Sequence, residues 1–239
     1  MAARFGADVK TARQAWSEFV RHRSPRILFA GLACVAALRV VVGGFGWRDL
    51  VAVALMVPIY VFGEWAIHVH LLHLRPFRWR GRRVELVTTR SHRMHHEDPH
   101  NLFMILLGPA EAVALLLAAV PLPIALGSGV IGLVFGTVPF GAAVSAALTG
   151  YALIVVYEWT HFLIHTAHRP KSRYYRSIWR GHRLHHFKNE RYWHGITNTF
   201  SDRVLGTNPD QATVERSRTA RTLGGGDPPP VAQPQVPRV

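Results

Sequence analysis

The chain has 239 residues, 49% of them hydrophobic, and a formal net charge of +14 at pH 7. This combination is unusual for a soluble domain, and the positive charge is segregated. Lys and Arg cluster in residues 1–26, 75–100 and 169–191, whereas residues 101–157 contain none. The pattern indicates a membrane protein with one basic side and argues against nucleic-acid binding, because no nucleic-acid-binding motif accompanies the charge. A single cysteine, Cys34, excludes an intramolecular disulfide.

The first 26 residues are basic and carry apolar residues at helical spacing. This predicts an amphipathic helix in the membrane interface, with a solvated basic tail as the alternative. Residues 27–47 form the first predicted membrane span, although a basic lead before an apolar run also fits a signal peptide. The length of the lead and the position of Arg39 favour a membrane anchor, in which Arg39 reaches towards the far interface.

The second predicted span covers residues 50–74, which is long enough to cross a hydrocarbon core of ~30 Å and protrude. Residues 102–157 are apolar apart from Glu111, which we place near the interface, and can supply two more spans, near 103–122 and 141–164. The number of crossings in this stretch must be even, because histidine-rich segments on both sides of it have to reach one site. We therefore predict an all-α integral membrane protein with about four transmembrane helices and a cytosolic, histidine-rich helical cap.

The predicted domain organisation has three parts. Residues 1–26 form the basic amphipathic segment, residues 27–207 the membrane-embedded domain, and residues 208–239 a polar, Pro/Gly-rich tail expected to be disordered. Basic residues near the span ends place both termini and all histidine-rich segments on the cytoplasmic side.

Histidines recur in two similar halves of the chain. The first half carries the sequence HVHLLH at residues 68–73 and HRMHH at 92–96, and the second half carries HFLIH at 161–165 and HRLHH at 182–186. Each half thus consists of an apolar helix with histidines at its end, followed by a basic segment with a three-histidine box. A chance surface cluster would explain one box but not four that follow membrane-like helices.

The spacing of these histidines suits metal binding, since imidazole is a common ligand of Fe, Zn and Cu. His161 and His165 at i,i+4 share one helical face, whereas His68 and His73 at i,i+5 diverge by about 140° on an ideal helix. The latter pair either flanks one site or binds different metals. In each His-x-x-His-His box the adjacent pair diverges, so a box can bridge two ions. The ten candidate ligands, too many for one ion and suitable for two, are His68, His73, His92, His95, His96, His161, His165, His182, His185 and His186.

Other polar residues near the boxes are alternative metal ligands or hydrogen-bond acceptors for the ligand histidines. His70, His100, His168 and His194 are spare histidines, and His168 could substitute for His165. Glu64 and Glu158 each precede a histidine by one turn and are candidate catalytic-site acceptors for an imidazole N–H. The alternative is that both are polar residues at helix ends near the interface.

The four boxes resemble those of the fatty acid hydroxylase/sterol desaturase family of integral-membrane oxygenases. The segment FKNERYWHGITNTFSDRVLGT at residues 187–207 is similar to that family's closing signature, so the resemblance covers roughly residues 50–207. It implies a non-haem di-iron site, dioxygen as oxidant and a lipid substrate. The chain departs from the signature at His194, where Phe or a small residue is usual, and at Ser201, where an aromatic residue is usual.

Within this family, the reaction is hydroxylation or desaturation of a lipid C–H bond, and the closing signature favours the hydroxylases. The chain has no flavin, haem or ferredoxin motif, so electrons must come from a separate donor. We expect a cytochrome b5-like or ferredoxin-like acidic protein docking on arginines of the basic cap, namely Arg78, Arg80, Arg82 and Arg83. Zinc is a further possible occupant, because all-histidine sites also take zinc.

Two other function classes place histidines at membrane-helix ends. A zinc-dependent membrane hydrolase would use Glu64 as a base beside an open metal site, but it does not need ten histidines. A metal transporter usually carries its ligands at mid-membrane depth on several spans. Dependence on dioxygen separates an oxygenase from both.

Overall fold

The computed structural model describes residues 5–106 and 140–224, together with residues 108, 132 and 136. The α-helices are α1 (Ala12–Phe19), α2 (Arg23–Val42), α3 (Trp47–Ala66), α4 (Val87–Glu97), α5 (Leu102–Ile105), α6 (Phe140–Ile164), α7 (Arg173–Phe187) and α8 (Phe200–Val204). A π-helix, Ile67–Leu72, continues α3, and strands β1 (Phe77–Trp79) and β2 (Arg82–Val84) form a hairpin.

Three helices among the described residues are long and apolar enough to cross a membrane. They are Arg23–Val42, the continuous helix Trp47–Leu72, and Phe140–Ile164. This confirms the predicted all-α membrane fold. The predicted span near 103–122 falls mostly outside the described residues: Leu102–Ile105 is helical, Leu106 is extended, and the number of crossings before α6 stays a prediction.

Of the three spans, α6 is the central one, because it contacts both α2 and α3. Ala142 and Ala146 of α6 are buried against Ala52 and Met56 of α3. Small side chains at such positions allow two helices to approach closely where lipid removes the hydrophobic drive for association. This packing brings the end of α6 next to the end of α3, where the histidines begin.

A buried ion pair joins the three spans at the end opposite the histidines. Arg39 Nη2 lies 2.7 Å from Asp49 Oδ1, and the Ser145 hydroxyl donates to the same carboxylate oxygen at 2.6 Å. Asp49 at the start of α3 and Ser145 of α6 thus bind the Arg39 guanidinium inside the bundle, and the predicted reach of Arg39 towards the far interface stays a prediction. Removing one partner of such a pair leaves a buried charge and is strongly destabilising.

The N-terminal segment forms a helix that packs on the C-terminal part of α6. Thr11 caps α1 through a capping box with Gln14. Phe19 is fully buried, with its ring 5.4 Å from that of Phe162 and 5.3 Å from that of Trp159. The segment therefore forms a packed helix and not a solvated tail, and its location in the membrane interface stays a prediction.

The C-terminal segment differs from the expected disorder over its first half. Residues 208–224, which we call the C-terminal strap, include a 3-10 helix at Gln211–Thr213 and bury Ala220, Thr222 and Leu223. The strap has few apolar side chains, and its contacts are mostly hydrogen bonds to the cap, which composition does not reveal. Residues 225–239 lie outside the described part of the chain.

Candidate metal centre

The π-helix at the end of α3 brings His68 and His73 together. The amide of His73 donates to the carbonyl of His68 at 3.2 Å, an i,i+5 hydrogen bond. This wider turn rotates His73 back over His68, so their ring centroids are 4.9 Å apart. The 140° divergence expected for an ideal helix therefore does not apply, and of the two alternatives the pair contributes to one site. Short π-helical turns inside α-helices are frequent at functional sites.

The ten candidate ligands assemble into two groups of five. In each group the ring nitrogens nearest the centre all lie within 4.8 Å of one another. The first group consists of His68, His73, His92, His96 and His185, and the second of His95, His161, His165, His182 and His186. The two groups are in contact, since the ring centroids of His96 and His186 are only 4.0 Å apart.

Each three-histidine box divides between the two groups. In α4 the first and third histidines, His92 and His96, enter the first group, while His95 enters the second. In α7 the first and third, His182 and His186, enter the second group, and His185 enters the first. Positions i and i+4 share a helical face, whereas the intervening histidine points to the neighbouring group. This is the bridging arrangement that the spacing predicted.

Backbone carbonyls orient three imidazoles of the first group through their Nδ1 atoms. His68 Nδ1 lies 2.6 Å from the carbonyl oxygen of His194, and His185 Nδ1 lies 2.8 Å from that of Tyr192. His96 Nδ1 lies 2.8 Å from the carbonyl oxygen of Ala220. A carbonyl only accepts, so each Nδ1 carries the proton and each Nε2 presents a lone pair to the group.

The second group is organised around His182. Its Nε2 lies 3.1 Å from Nε2 of His161, 2.9 Å from that of His165 and 3.0 Å from that of His186. One ring nitrogen either donates or accepts a single hydrogen bond, so three such contacts cannot all be hydrogen bonds. Four convergent nitrogens at this spacing fit a cation, which would bind their lone pairs.

Both groups are buried and hold neutral imidazoles. Burial is the largest cause that lowers the pKa of His92 and His182 well below 6.5, and it lowers the pKa of His96 to about 4. Among the described residues, Nε2 of His68, His92 and His96 has no hydrogen-bond partner. Neutral, inward-facing and unpartnered imidazole nitrogens are the donor set that Fe, Zn, Cu or Ni requires, so the residues fit a metal at each group.

The spare histidines lie outside both groups. His70 packs edge-on against Trp65, His100 stacks on Phe187, and His168 stacks on Tyr175. His194 borders the first group, with its ring centroid 5.2 Å from that of His185. Its ring also packs edge-on against His68 and His73, while its backbone carbonyl contacts Nδ1 of His68.

Glu64 supports the loop that carries two of the orienting carbonyls. Its Oε1 accepts from the amides of Ile196 at 2.5 Å and Thr197 at 2.9 Å, and Oε2 accepts from the Thr197 hydroxyl. The sequence predicted that Glu64 accepts a hydrogen bond from an imidazole N–H. In the structure its carboxylate instead binds the backbone and side chain of this loop. The same loop is held from its other side by Asp202, which accepts from the amides of His194 and Gly195.

A cavity of about 60 Å³ lies beside both groups. Three histidines line it, together with Glu158, Tyr157 and the apolar segment Met104, Ile105 and Leu106. The histidines are His92 of the first group and His95 and His161 of the second. Glu158 is 1% exposed, and its predicted role as an acceptor for an imidazole stays a prediction.

Sequence reasoning found the ten histidines but missed three features that position them. These are the π-helix, the Nδ1-to-carbonyl contacts and the strap. Only the π-helix had a signal in the sequence. Two histidines at i,i+5 can bind the same metal only if the helix turn between them is wider than an α-helical turn.

The fold and the site define a class of protein: a helical membrane protein with two adjacent groups of five histidines. A model of the fatty acid hydroxylase family matches residues 53–207, and the chain belongs to this family of oxidoreductases. The chain is 26% identical over 157 residues to a dihydroceramide fatty acyl 2-hydroxylase of Arabidopsis thaliana, a match that covers 66% of this chain and 60% of that protein.

A solved structure described as full-length Scs7p, with only the hydroxylase domain visible, is similar in fold. The TM-score is 0.58 at 21% identity, over 80% of this chain and 68% of that chain. At this identity the likeness concerns the fold alone.

Proposed function

We propose that the protein is a membrane di-iron oxygenase that hydroxylates a fatty acyl chain of a lipid. The observation that carries this proposal is the pair of buried five-histidine groups, whose unpartnered ring nitrogens converge. Membership of the fatty acid hydroxylase family and similarity to a fatty acyl 2-hydroxylase support the acyl substrate.

The overall reaction consumes one substrate C–H bond, dioxygen, two electrons and two protons, and it yields an alcohol and water. Two bound iron ions would supply the redox chemistry that splits dioxygen. All other contributions come from the chain: the ten histidines hold the ions, with His96 and His185 fixed by carbonyls. Their neutral imidazoles leave the ions more cationic than carboxylate-rich sites of soluble helical bundles would.

The chain also selects where the substrate approaches. The cavity bounded by Met104, Ile105 and Leu106 presents apolar walls, and it borders histidines of both groups. An acyl chain can lie against these walls with one C–H bond next to the groups. Burial of the groups excludes bulk water, which limits side reactions of the oxidant.

The electrons come from an external donor in this proposal. Arg78, Arg80, Arg82 and Arg83 are exposed on the β1–β2 hairpin, a few residues beyond His73. An acidic cytochrome b5-like or ferredoxin-like protein fits this charge and would dock on the cytoplasmic side, where we also place both termini. Neutralising these arginines should slow reduction and weaken its dependence on salt.

The proposal is tested by oxygen labelling in cells that express the protein. Under ¹⁸O₂ the cells should accumulate acyl lipids with one added ¹⁸O, detected by mass spectrometry. A His185→Ala, His186→Ala double variant removes one histidine from each group and serves as the inactive control. Absence of the labelled lipid, or label that enters only from H₂¹⁸O, would exclude oxygenase activity and favour a metal-dependent hydrolase.

A further inference from the structure

The C-terminal strap lies beyond residue 207, where the match to the family ends, yet it reaches the first histidine group. The strap is held on the segment that follows α7. The amide of Ser217 donates to the carbonyl of Lys188 at 2.8 Å, and the Thr219 hydroxyl donates to Glu190 at 2.5 Å. These contacts place the next residue, Ala220, directly over α4.

Ala220 supplies one of the three carbonyls that orient the first group. The other two, from Tyr192 and His194, belong to the closing signature, whereas the carbonyl for His96 comes from the strap. Ala220 is 4% exposed, so water does not readily replace this acceptor. Without it, the protonated nitrogen of His96 would lose its buried partner and the ring could change tautomer.

Arg221 holds the end of the helix on which His96 lies. Its Nε donates to the carbonyl of His96 at 2.7 Å, and its Nη2 donates to the carbonyl of Glu97. These carbonyls are among the last of α4, where no intrahelical donor is available. The guanidinium also lies 5.7 Å from the ring centroid of Phe187 at the end of α7, so Arg221 connects the two helices that carry the boxes.

We propose that residues 217–223 of the strap are a positioning element of the first metal site. The Ala220 carbonyl keeps the proton of His96 on Nδ1 and its Nε2 lone pair directed at the metal, while Arg221 fixes the end of α4. The inference rests on the proposed function in one respect, namely that each group binds a metal. It predicts that loss of the strap weakens the first site and spares the second.

The test is an anaerobic titration of the purified, metal-free protein with Fe(II), with bound iron counted after desalting. The Arg221→Ala variant should bind one iron with unchanged affinity and the other about 10–100-fold more weakly, the range observed when a partner of a ligand is removed. Arg216→Ala is the matched control, because Arg216 is an exposed arginine of the same strap outside residues 217–223, and this variant should bind two irons as the wild type does.

Three further variants separate a local effect from misfolding. A chain that ends after Arg216 should show the same selective loss, whereas one that ends after Gly224 keeps residues 217–223 and should retain both irons. Adding His165→Ala removes the second group, so the remaining iron of the Arg221→Ala, His165→Ala variant should be the weak one. The proposal is supported if the first iron binds more weakly both when the second group is present and when His165→Ala has removed it.

The failure of this inference differs from failure of the proposed function. Two irons of unchanged affinity in Arg221→Ala and in the chain that ends after Arg216 would overturn the inference and leave the metal centre intact. Equal weakening of both irons would also overturn it, since it would indicate general destabilisation. A wild-type protein that binds no iron would contradict the proposed function itself.

Discussion

The two histidine groups have the same composition but are positioned in different ways. The second group depends on regular helices: His161 and His165 of α6, and His182 and His186 of α7, are i,i+4 pairs. The first group depends on a π-helix and on three carbonyls, two of which lie 126 and 124 residues along the chain from the histidines they orient, and the third only 7 residues away. Local periodicity thus builds one site, and long-range hydrogen bonds build the other.

The chain ends show the same contrast. Near the N-terminus, Gly6 lies against the second group, where a Cβ would be 1.9 Å from the carbonyl oxygen of His165. Near the C-terminus, Ala220 contacts His96 of the first group. The N-terminal contact is close packing that only glycine allows, and the C-terminal contact is a hydrogen bond. Each site should therefore have its own sensitive positions outside the boxes.

The largest effect is expected from His182→Ala. This change removes the nitrogen at the centre of the second group, so the second iron should be lost while the first is retained. Because both ions are needed, hydroxylation should fall by more than about 100-fold, as expected when a metal contribution of several kcal/mol is lost. Iron content and ¹⁸O incorporation measure the two effects. His168→Ala, outside both groups, is the control, and simultaneous loss of both irons would show that the groups are not separate.

Glu64→Ala should weaken the first site. The change leaves the amides of Ile196 and Thr197 without their buried acceptor, at a cost of ~1–3 kcal/mol for each unsatisfied donor. The loop that offers the carbonyls of Tyr192 and His194 would then loosen, so the first iron should bind about 10–100-fold more weakly. Fe(II) titration is the measurement. Thr197→Val, which removes only the hydroxyl donor, should have a smaller effect, and weakening of the second iron alone would contradict this account.

Gly6→Ala is the counterpart for the second site. The added methyl group would overlap the His165 carbonyl and displace the end of α6, which should weaken the second iron by about tenfold. The same titration detects it. Gly63→Ala provides the control, because a Cβ at Gly63 meets no atom within 4 Å. Unchanged binding in Gly6→Ala would mean that the N-terminal segment does not constrain the site.

Acid should release iron from both groups only well below the ordinary pKa of histidine. Burial lowers the pKa of His95 and His182 well below 6.5 and that of His96 to about 4. A lowered pKa keeps imidazole neutral at mildly acidic pH, so protons compete with the metal only near the lowered value. The first iron should leave as the pH approaches the pKa of His96, about 4, and the second should also stay bound well below pH 6.5. Iron counted after equilibration across this range tests it, and release that begins near 6.5 would show that the groups are exposed.

The features that depend on the periodicity of the sequence could be predicted from it. The apolar runs predicted the described spans, and the i,i+4 spacing predicted how His161 and His165 share a face. The division of each box between two sites followed from the same geometry. Family resemblance on the boxes and the closing signature was confirmed by the match to residues 53–207.

The remaining features depend on contacts between distant parts of the chain. Nothing in the helix of Arg39 indicates that Asp49 and Ser145 bind its guanidinium. Glu64 was expected beside an imidazole, but the loop at Ile196 approaches from more than a hundred residues away. Composition predicted disorder for the strap, since its hydrogen bonds through backbone carbonyls, such as the one from Nδ1 of His96 to Ala220, do not depend on the side chains of the strap.

Counting iron in four versions of the protein tests the central claim most directly. The versions are the wild type, His73→Ala from the first group, His165→Ala from the second, and the double variant. Two separate sites predict two, one, one and no iron ions per chain. A single ion in the wild type that either change removes would contradict the account, because the ten histidines would then form one site instead of two.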